Sequence, residues 1–400
     1  MRIVHVNTVF GGSTGKIMRG IAQTARDAGH TVYTISRNWG GDLIDDPFHL
    51  LIGTRLDNRL HQILGTLSGF EGCFSRLATK RLLRRLDKIR PDVMHLHNLH
   101  GWYIHLPTLF AYIKKKNIRT VWTLHDCWAF TGKCPHFVTE GCDRWQTGCH
   151  DCPQLHQYPR SKCDRTSWLY DHKKRWFADV PQLTVVTPSR WLAGLVEQSF
   201  LKDAPVRVIN NGIDLQVFRP TPSDFKERIG CRDKSIVLGV AFGWGYKKGL
   251  DVFLELARRL PTDRYQIVLV GTNEQTDAAL PPSILSIHRT QDQRELAEIY
   301  SAADVFVNPT REDTFPTVNM EALGCGTPVL TFKVGGSPEI LDEKTGCVVD
   351  RDDVDALERE CRRICQQKPF SREDCTNRAK AFDKDVKYQE YIRLYRDFSL

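Results

Sequence analysis

The chain has 400 residues, enough for two domains of ordinary size, and its 41% apolar and 26% charged residues are typical of a folded globular protein. No run approaches the roughly 18 apolar residues of a membrane-spanning helix. The first residues resemble a strand rather than a secretion signal, so we expect a cytoplasmic protein. The formal net charge is +8, and basic clusters at 80–90 and 114–116 suit anionic lipid, phosphorylated substrates or nucleic acid, although solvated helix faces are the simpler interpretation.

Short apolar strands alternate with amphipathic helices along the first half of the chain. We predict strands at 3–6, 31–36, 93–96, 120–124 and 184–187, with a glycine-rich loop from Gly11 to Gly15 and a helix at 16–28. This alternation predicts a parallel sheet covered by helices on both faces.

The same rhythm restarts in the second half, with strands predicted at 235–241, 266–270, 284–288, 305–308 and 329–332. The fold class is therefore α/β, with two Rossmann-like doubly wound domains whose ligands we expect in a cleft between them. We place an N-terminal domain at 1–206, a C-terminal domain at 207–385, and a helix at 386–400 that packs back on the N-terminal domain.

Two features of the first domain bear on chemistry. The loop containing Gly11 and Gly12 lets backbone amides approach a phosphate, although its spacing matches neither the dinucleotide nor the P-loop pattern and a plain connection is an equal alternative. His125 directly follows a buried strand, where it can bond a sugar hydroxyl or assist proton transfer. A structural histidine is the alternative for His125.

In the second domain, Lys247 and Lys248 lie between a strand and a helix. An ammonium group in this place can neutralise charge on a leaving diphosphate, although surface lysines are also common.

The segment from Arg311 to Pro328 carries the strongest pattern. A strand ends, an acidic loop follows, and a helix begins near Pro316. Asp313 and Glu321 lie eight positions apart, and a carboxylate can accept two hydrogen bonds from the vicinal hydroxyls of a ribose or hexose. The helix N-terminus favours a diphosphate.

With these segments the chain resembles, over nearly its whole length, the retaining GT-B glycosyltransferases of family four, and within them the bacterial exopolysaccharide enzymes of the colanic-acid type. The residues that carry the resemblance, in chain order, are Gly11–Gly12, Thr123–Asp126, Pro188–Leu192, Asn211–Asp214 with Phe218, Lys248–Gly249, Glu321–Ala322, Gly326–Pro328 and Gly335–Glu339.

The resemblance implies a role for each matched residue. Glu321 would hold the nucleotide ribose, Asp313 and His125 would face the donor sugar, and Lys248 would bind the diphosphate and stabilise the leaving group. The catalytic residues implied are therefore His125, Lys248 and Asp313. The donor-binding set is Gly11, Gly12, Lys247, Lys248, Glu312, Asp313, Thr314, Phe315, Pro316, Thr317 and Glu321. No catalytic cofactor or metal is implied.

The chain departs from the family pattern in two places. The family usually has Glu at the position of Asp313, so either Asp313 reaches its ligand by a backbone shift or Glu312 takes part. The family often has an Arg shortly before Lys248, whereas residues 242–246 contain none, and Lys247 is the candidate for the second charge.

A cysteine-rich insert occupies 127–163. Four cysteines with C-x7-C-x6-C-x2-C spacing are candidate ligands of a structural zinc: Cys134, Cys142, Cys149 and Cys152. Reduced thiols with packing roles are the alternative. In either case we expect the insert to shape the acceptor side of the cleft.

The function that follows is retaining transfer of a sugar from a UDP- or GDP-sugar to a growing, lipid-linked exopolysaccharide or surface polysaccharide, with peripheral contact at the inner face of the plasma membrane. A sugar-nucleotide epimerase or a phosphorylase with the same fold is the first alternative. A zinc-bearing, basic nucleic-acid-binding protein is the second, but no recognition helix or stacking-aromatic pattern supports it, so we expect no nucleic-acid partner.

Overall fold

A computed structural model describes residues 1–38 and 46–397. The chain forms two compact units, Met1–Asn210 together with the C-terminal segment from Tyr388, and Asn211–Lys387. Each unit is a parallel sheet with helices on both faces, as the alternating pattern predicts. None of the described helices is long and apolar enough to cross a membrane.

The first unit contains a seven-stranded sheet in the order β3-β2-β1-β4-β5-β6-β7, counted over the described residues. Its strands are β1 Arg2–Val6, β2 Thr31–Arg37, β3 His49–Ile52, β4 Val93–Leu96, β5 Arg119–Thr123, β6 Leu183–Thr187 and β7 Val206–Val208. Its helices are α1 Gly12–Asp27, α2 Arg55–Ser68, α3 Arg76–Ile89, α4 Leu106–Lys116, α5 Thr166–Phe177 and α6 Arg190–Glu197.

The second unit contains a six-stranded sheet in the order β10-β9-β8-β11-β12-β13, again over the described residues. Its strands are β8 Ser235–Val240, β9 Tyr265–Val270, β10 Ile284–Ile287, β11 Val305–Asn308, β12 Val329–Phe332 and β13 Gly346–Val349. Its helices are α7 Phe225–Arg228, α8 Leu250–Arg259, α9 Glu274–Asp277, α10 Gln293–Ala302, α11 Thr317–Gly324, α12 Ser337–Ile340, α13 Val354–Gln367 and α14 Arg372–Ala379.

The last helix, α15 Lys384–Arg396, begins in the second unit and ends in the first. Near its start, the Lys384 ammonium bonds the Asp214 carboxylate at 2.5 Å. Its later side chains Tyr391 and Tyr395 are buried in the apolar layer that also contains Ile3 of β1. Residues 398–400 of the helix predicted at 386–400 lie outside the described residues.

Both sheets are buried on both faces, and their strand sequences show the reason. The strand β11 reads Val-Phe-Val-Asn, and all four of its residues are buried. Such continuous apolar runs suit parallel strands between two helical layers, so each sheet has one apolar cluster on each face.

The structure corrects several sequence-based element bounds. The helix α1 begins at Gly12 rather than at residue 16, so most of the predicted glycine-rich loop is the first turn of this helix. Gly15 is needed there because a Cβ atom would lie 2.3 Å from the Phe10 carbonyl oxygen. The strand β7 crosses the predicted 206/207 domain boundary, because it pairs with β6 through Val208.

Candidate active site

The candidate site of the second unit lies where its strand order reverses. The sheet runs outward in both directions from β8 and β11, which are neighbours, so a crevice opens at their carboxyl ends. A short turn, Tyr246–Lys248, follows β8, and the loop from Pro309 to Pro316 follows β11. The strongest sequence segment and the lysine pair therefore meet at the position where doubly wound folds bind ligands.

Two lysine–carboxylate pairs join this turn to this loop. The Lys248 Nζ atom lies 3.1 Å from Asp313 Oδ2, and the Lys247 Nζ atom lies 2.6 Å from Glu312 Oε2. The Glu312 side chain is only 3% exposed, whereas that of Asp313 is 23% exposed. These exposures favour Asp313 as the acid that meets a ligand, while the donor-binding role of either acid stays a prediction.

Arg311 of the acidic loop fixes the position of the lysine turn, Tyr246–Lys248. Its guanidinium donates two hydrogen bonds to the Asp251 carboxylate, at 2.8 and 2.7 Å, and one to Asp352 at 2.6 Å. It also lies over the Tyr246 ring, 3.9 Å from the centroid. Burial opposes the charge, but these carboxylates raise the pKa of Arg311, so it remains cationic. Because all three guanidinium nitrogens already donate hydrogen bonds within the protein, Arg311 has a structural role in positioning the lysine turn.

Two glycines allow the backbone to close around the acidic loop. A Cβ atom on Gly249 would lie 2.5 Å from the Pro309 carbonyl oxygen, and one on Gly335 would lie 1.7 Å from the Asp313 carbonyl oxygen. Both glycines also have positive φ angles, 76° and 56°. A larger residue at Gly249 would push the lysine turn away from the acidic loop, and one at Gly335 would push the segment after β12 away from Asp313.

Glu321 lies on α11, one element beyond the acidic loop. Its Oε2 atom accepts a hydrogen bond from the buried Tyr300 hydroxyl at 3.3 Å, which fixes the carboxylate on its helix. Burial, and then the Glu321 charge, raise the pKa of Tyr300, so its hydroxyl remains a donor. Residues Thr314, Phe315, Pro316 and Thr317 lead into the N-terminus of α11, where backbone amides gather.

The remaining candidate residues belong to the first unit. Gly11 and Gly12 follow β1 at the start of α1, and His125 follows β5. The His125 Nε2 atom lies 3.0 Å from Nδ1 of His97, a residue that the motif analysis did not single out. Burial is the main cause that lowers the pKa of His125 to about 4, so this imidazole is neutral at pH 7.

The cysteine-rich insert is part of the first unit. The sulfurs of Cys134 and Cys152 lie 3.9 Å apart, close to the roughly 3.8 Å expected for two thiolates on one tetrahedral zinc. Cys149 accepts a hydrogen bond from the Gly132 amide at 3.1 Å. Among the described residues, however, no three of the four sulfurs, with Cys142 the fourth, lie within 4.8 Å of one another. Two of the four cysteine sulfurs, those of Cys134 and Cys152, thus have the spacing of zinc ligands, and the zinc site stays a prediction.

Family descriptions match both units of the chain. Residues 14–217 match "Glycosyltransferase Family 4", and residues 234–367 match "Glycosyl transferases group 1". The chain belongs to glycosyltransferase family 4. It is therefore a glycosyltransferase, and its fold class is GT-B, built from two parallel-sheet α/β units.

Similar proteins are found by sequence and by structure. This glycosyltransferase is 29% identical, over 66% of its length, to the putative colanic acid biosynthesis glycosyl transferase WcaC of Escherichia coli K12, and spans just under two thirds (65%) of that relative. Its fold is similar to that of sucrose-phosphate synthase from Thermosynechococcus elongatus, with a TM-score of 0.75 at 19% identity over 99% of this chain and 98% of that one. The Anabaena protein HepE, solved with UDP-glucose, has a TM-score of 0.68 at 15% identity over 99% of both chains.

The sequence analysis missed three sets of side chains in the candidate sites of this glycosyltransferase. Tyr300 lies on α10, where no sequence pattern marks it, and the carboxylate partners of Arg311 lie 60 and 41 positions away from it. His97 was passed over because its partner His125 comes from the next strand. The repeated spacing His95-x-His97 at the end of β4 is the signal that could have drawn attention to it.

Proposed function

We propose that this glycosyltransferase moves a sugar from a UDP- or GDP-sugar, with retention of configuration, to a growing lipid-linked polysaccharide unit. The observation that carries the proposal is the pairing of Lys248 with Asp313 at the reversal point of the second sheet. A cation and an acid 3.1 Å apart suit a diphosphate and the sugar attached to it.

The proposed chemistry divides between these groups. The ribose hydroxyls donate to Glu321, and the diphosphate lies against Lys248 and the amides at the start of α11. As the bond to the sugar breaks, negative charge accumulates on the diphosphate, and a preorganised ammonium stabilises that charge without reorganising. The acceptor hydroxyl attacks from the face that the diphosphate leaves and passes its proton to a departing diphosphate oxygen, so the configuration is kept. The UDP-glucose bound by HepE supports a nucleotide-sugar donor for this fold.

A thermal-shift screen of UDP-, GDP- and ADP-sugars tests the donor. A ligand that binds only the native state at a hundred times its Kd adds about 2.7 kcal/mol to the free energy of unfolding, which is a readily measured rise in Tm. We expect a rise with one nucleotide class. The absence of a rise with every class would contradict the proposal.

Turnover with and without acceptor then separates transfer from the alternative reactions. We expect nucleoside diphosphate release only when a lipid-linked saccharide is added. Conversion of the nucleotide sugar without any acceptor would indicate an epimerase, and a requirement for inorganic phosphate would indicate a phosphorylase.

The helix α2 supports the proposal of a lipid-linked acceptor, because polar side chains on it are buried and apolar ones are exposed. On α2, the side chains of Asn58 and His61 are buried. The apolar side chains Leu56, Leu60, Ile63, Leu64 and Leu67 are exposed and share one helical face. A soluble helix normally has the opposite arrangement, so this face is suited to burial in a lipid interface.

The next helix, α3, supplies complementary charge. Its exposed basic residues are Arg76, Lys80, Arg81, Arg84, Arg85 and Lys88, and Asp87 is the acidic residue exposed beside them. The buried His61 of α2 bonds Ser75, which directly precedes α3, so the two helices are tied together. We therefore propose that α2 and α3 together form the surface that contacts the anionic inner leaflet.

Vesicle sedimentation tests this surface. The double variant Arg81→Gln/Arg84→Gln is expected to weaken binding to anionic vesicles about thirtyfold, since each basic residue contributes roughly 1 kcal/mol near such a surface. The Leu60→Gln/Leu64→Gln variant is expected to bind more weakly at high salt as well, because its loss is apolar.

The matched control is Arg258→Gln, which removes an exposed arginine of the second unit whose side chain is 77% exposed. It should bind vesicles like the unaltered protein. If all three variants sediment equally with anionic vesicles, the α2–α3 surface does not contact lipid.

A further inference from the structure

Four histidines of the first unit come together at the carboxyl ends of three adjacent strands. His5 of β1 is opposite His95 of β4 in the parallel register. His97 comes two residues after His95 and so follows the same face of the strand. His125 follows β5, the other neighbour of β4.

Three of these imidazoles form a continuous hydrogen-bonded chain. The His5 Nδ1 atom lies 3.1 Å from His97 Nε2, and the His97 Nδ1 atom lies 3.0 Å from His125 Nε2. His5 and His97 are at most 1% exposed. His95 lies outside the chain, because its Nδ1 and Nε2 atoms contact the Tyr395 hydroxyl at 2.6 Å and the Thr123 hydroxyl at 2.8 Å.

Each ring of the chain is neutral and so carries a single proton. Burial is the main cause that lowers the pKa of His5 to about 3 and that of His125 to about 4, and it lowers the pKa of His97 well below its usual range. A neutral imidazole has one N–H donor and one acceptor nitrogen. If His97 accepts a hydrogen bond from one neighbour, it must donate to the other, because it has one N–H and one acceptor nitrogen. The tautomers of all three rings are therefore linked.

The buried end of the chain selects between the two directions. The His5 Nε2 atom has no hydrogen-bond partner among the described residues. Among buried backbone groups, orphaned N–H donors are rarer than acceptors that are left unsatisfied, and an unpaired ring N–H has the same kind of desolvation cost. His5 therefore has its proton on Nδ1 and donates to His97, and His97 donates from Nδ1 to Nε2 of His125. This direction leaves the proton of His125 on its Nδ1 atom.

We propose that His97, oriented by His5, is a positioning residue that holds His125 as the Nδ1-protonated tautomer, so that His125 meets a sugar substrate as a hydrogen-bond donor. The inference rests on the proposed function insofar as the substrate that His125 meets is a sugar. It also assigns the chemistry of that contact: an N–H group can hold a sugar oxygen but cannot take a proton from the acceptor hydroxyl.

A metal site is the competing interpretation of the same residues. The ligand atoms of His5, His95 and His97 lie within 4.8 Å of one another. However, both nitrogens of His95 already have partners, and its ring is stacked on that of His97 with centroids 4.2 Å apart. Stacked rings do not direct their nitrogen lone pairs at one point, so the hydrogen-bonded chain explains the cluster better.

Nitrogen-15 NMR of the histidine side chains in the full-length protein tests the proposal. We expect His125 to be Nδ1-protonated in the unaltered protein. His97→Phe keeps a ring at position 97 but removes both nitrogens. In this variant, the Nε2-protonated form of His125, which free histidine favours, should appear. We expect kcat to fall about tenfold with little change in KM for the donor, the size of effect that a misplaced neutral hydrogen bond gives.

The control is His95→Phe, which also replaces a buried imidazole of β4 but lies outside the chain. It should leave the His125 tautomer unchanged, so a general disturbance of the strand is distinguished from loss of the chain. If His97→Phe does not fold, His5→Phe removes the donor at the buried end and should also mix the tautomers of His125.

The NMR result does not depend on turnover, so it stands even if the proposed function fails. Three results would overturn the inference. One is an Nε2-protonated His125 in the unaltered protein. Another is an unchanged tautomer in a folded His97→Phe protein, and the third is a stoichiometric bound metal that this substitution removes.

Discussion

Glu321→Ala is expected to weaken nucleotide-sugar binding at least a hundredfold, measured by calorimetry with the donor found in the thermal-shift screen. Two hydrogen bonds from ribose hydroxyls to a charged carboxylate contribute about 1.5–3 kcal/mol each, and alanine removes both. Glu321→Gln keeps the shape and one acceptor oxygen, so its loss of affinity should be intermediate.

Tyr300 supplies the control for this substitution. Alanine at 321 leaves the buried Tyr300 hydroxyl without the carboxylate to which it donates, which destabilises the fold by itself. The double variant Glu321→Ala/Tyr300→Phe removes both partners and should recover most of the lost Tm without recovering donor affinity. Donor binding by Glu321→Ala at the unaltered Kd would remove Glu321 from the site.

Lys248→Met is expected to lower kcat a hundred- to a thousandfold, the cost of removing one preorganised group from developing negative charge. Because the charge on the diphosphate grows as the bond to the sugar breaks, the loss should fall on kcat more than on the donor Kd. Single-turnover kinetics with saturating donor measure this directly.

The comparison for Lys248 is Lys344→Met, a substitution at an exposed lysine between α12 and β13. It removes the same charge from the same unit and should leave kcat within about twofold. A kcat for Lys248→Met that also stays within twofold would show that the lysine only pairs with Asp313 and takes no part in the transfer.

The elements that carry the fold were predictable because parallel strands covered on both faces are continuous apolar runs. The strands β4, β11 and β12 have the bounds that the sequence predicts. The strands β3, β7 and β13 were missed because they are edge strands, four, three and four residues long, with partly exposed side chains. Their residues suit strands, but apolar runs this short do not by themselves predict one.

The site was predictable to the extent that it is local in sequence. The stretch from Asp313 to Glu321 follows one strand and begins one helix, so its order and spacing identify it. Arg311 was visible as a residue, but its role depends on Asp251 and Asp352, which reach it only through the fold. The chain from His5 to His125 has the same origin, since His5 and His97 are 92 positions apart.

The path of α15 has a consequence for how the chain is synthesised. Tyr391 and Tyr395 complete the apolar layer around Ile3, yet they emerge from the ribosome nearly 400 residues after it. Residue 388 follows residue 210 by 178 residues, so roughly 10 to 35 seconds of translation pass before the first unit can be completed. During that time a nascent chain exposes an unfinished apolar surface, and a gene cut after codon 206 would never supply the missing helix.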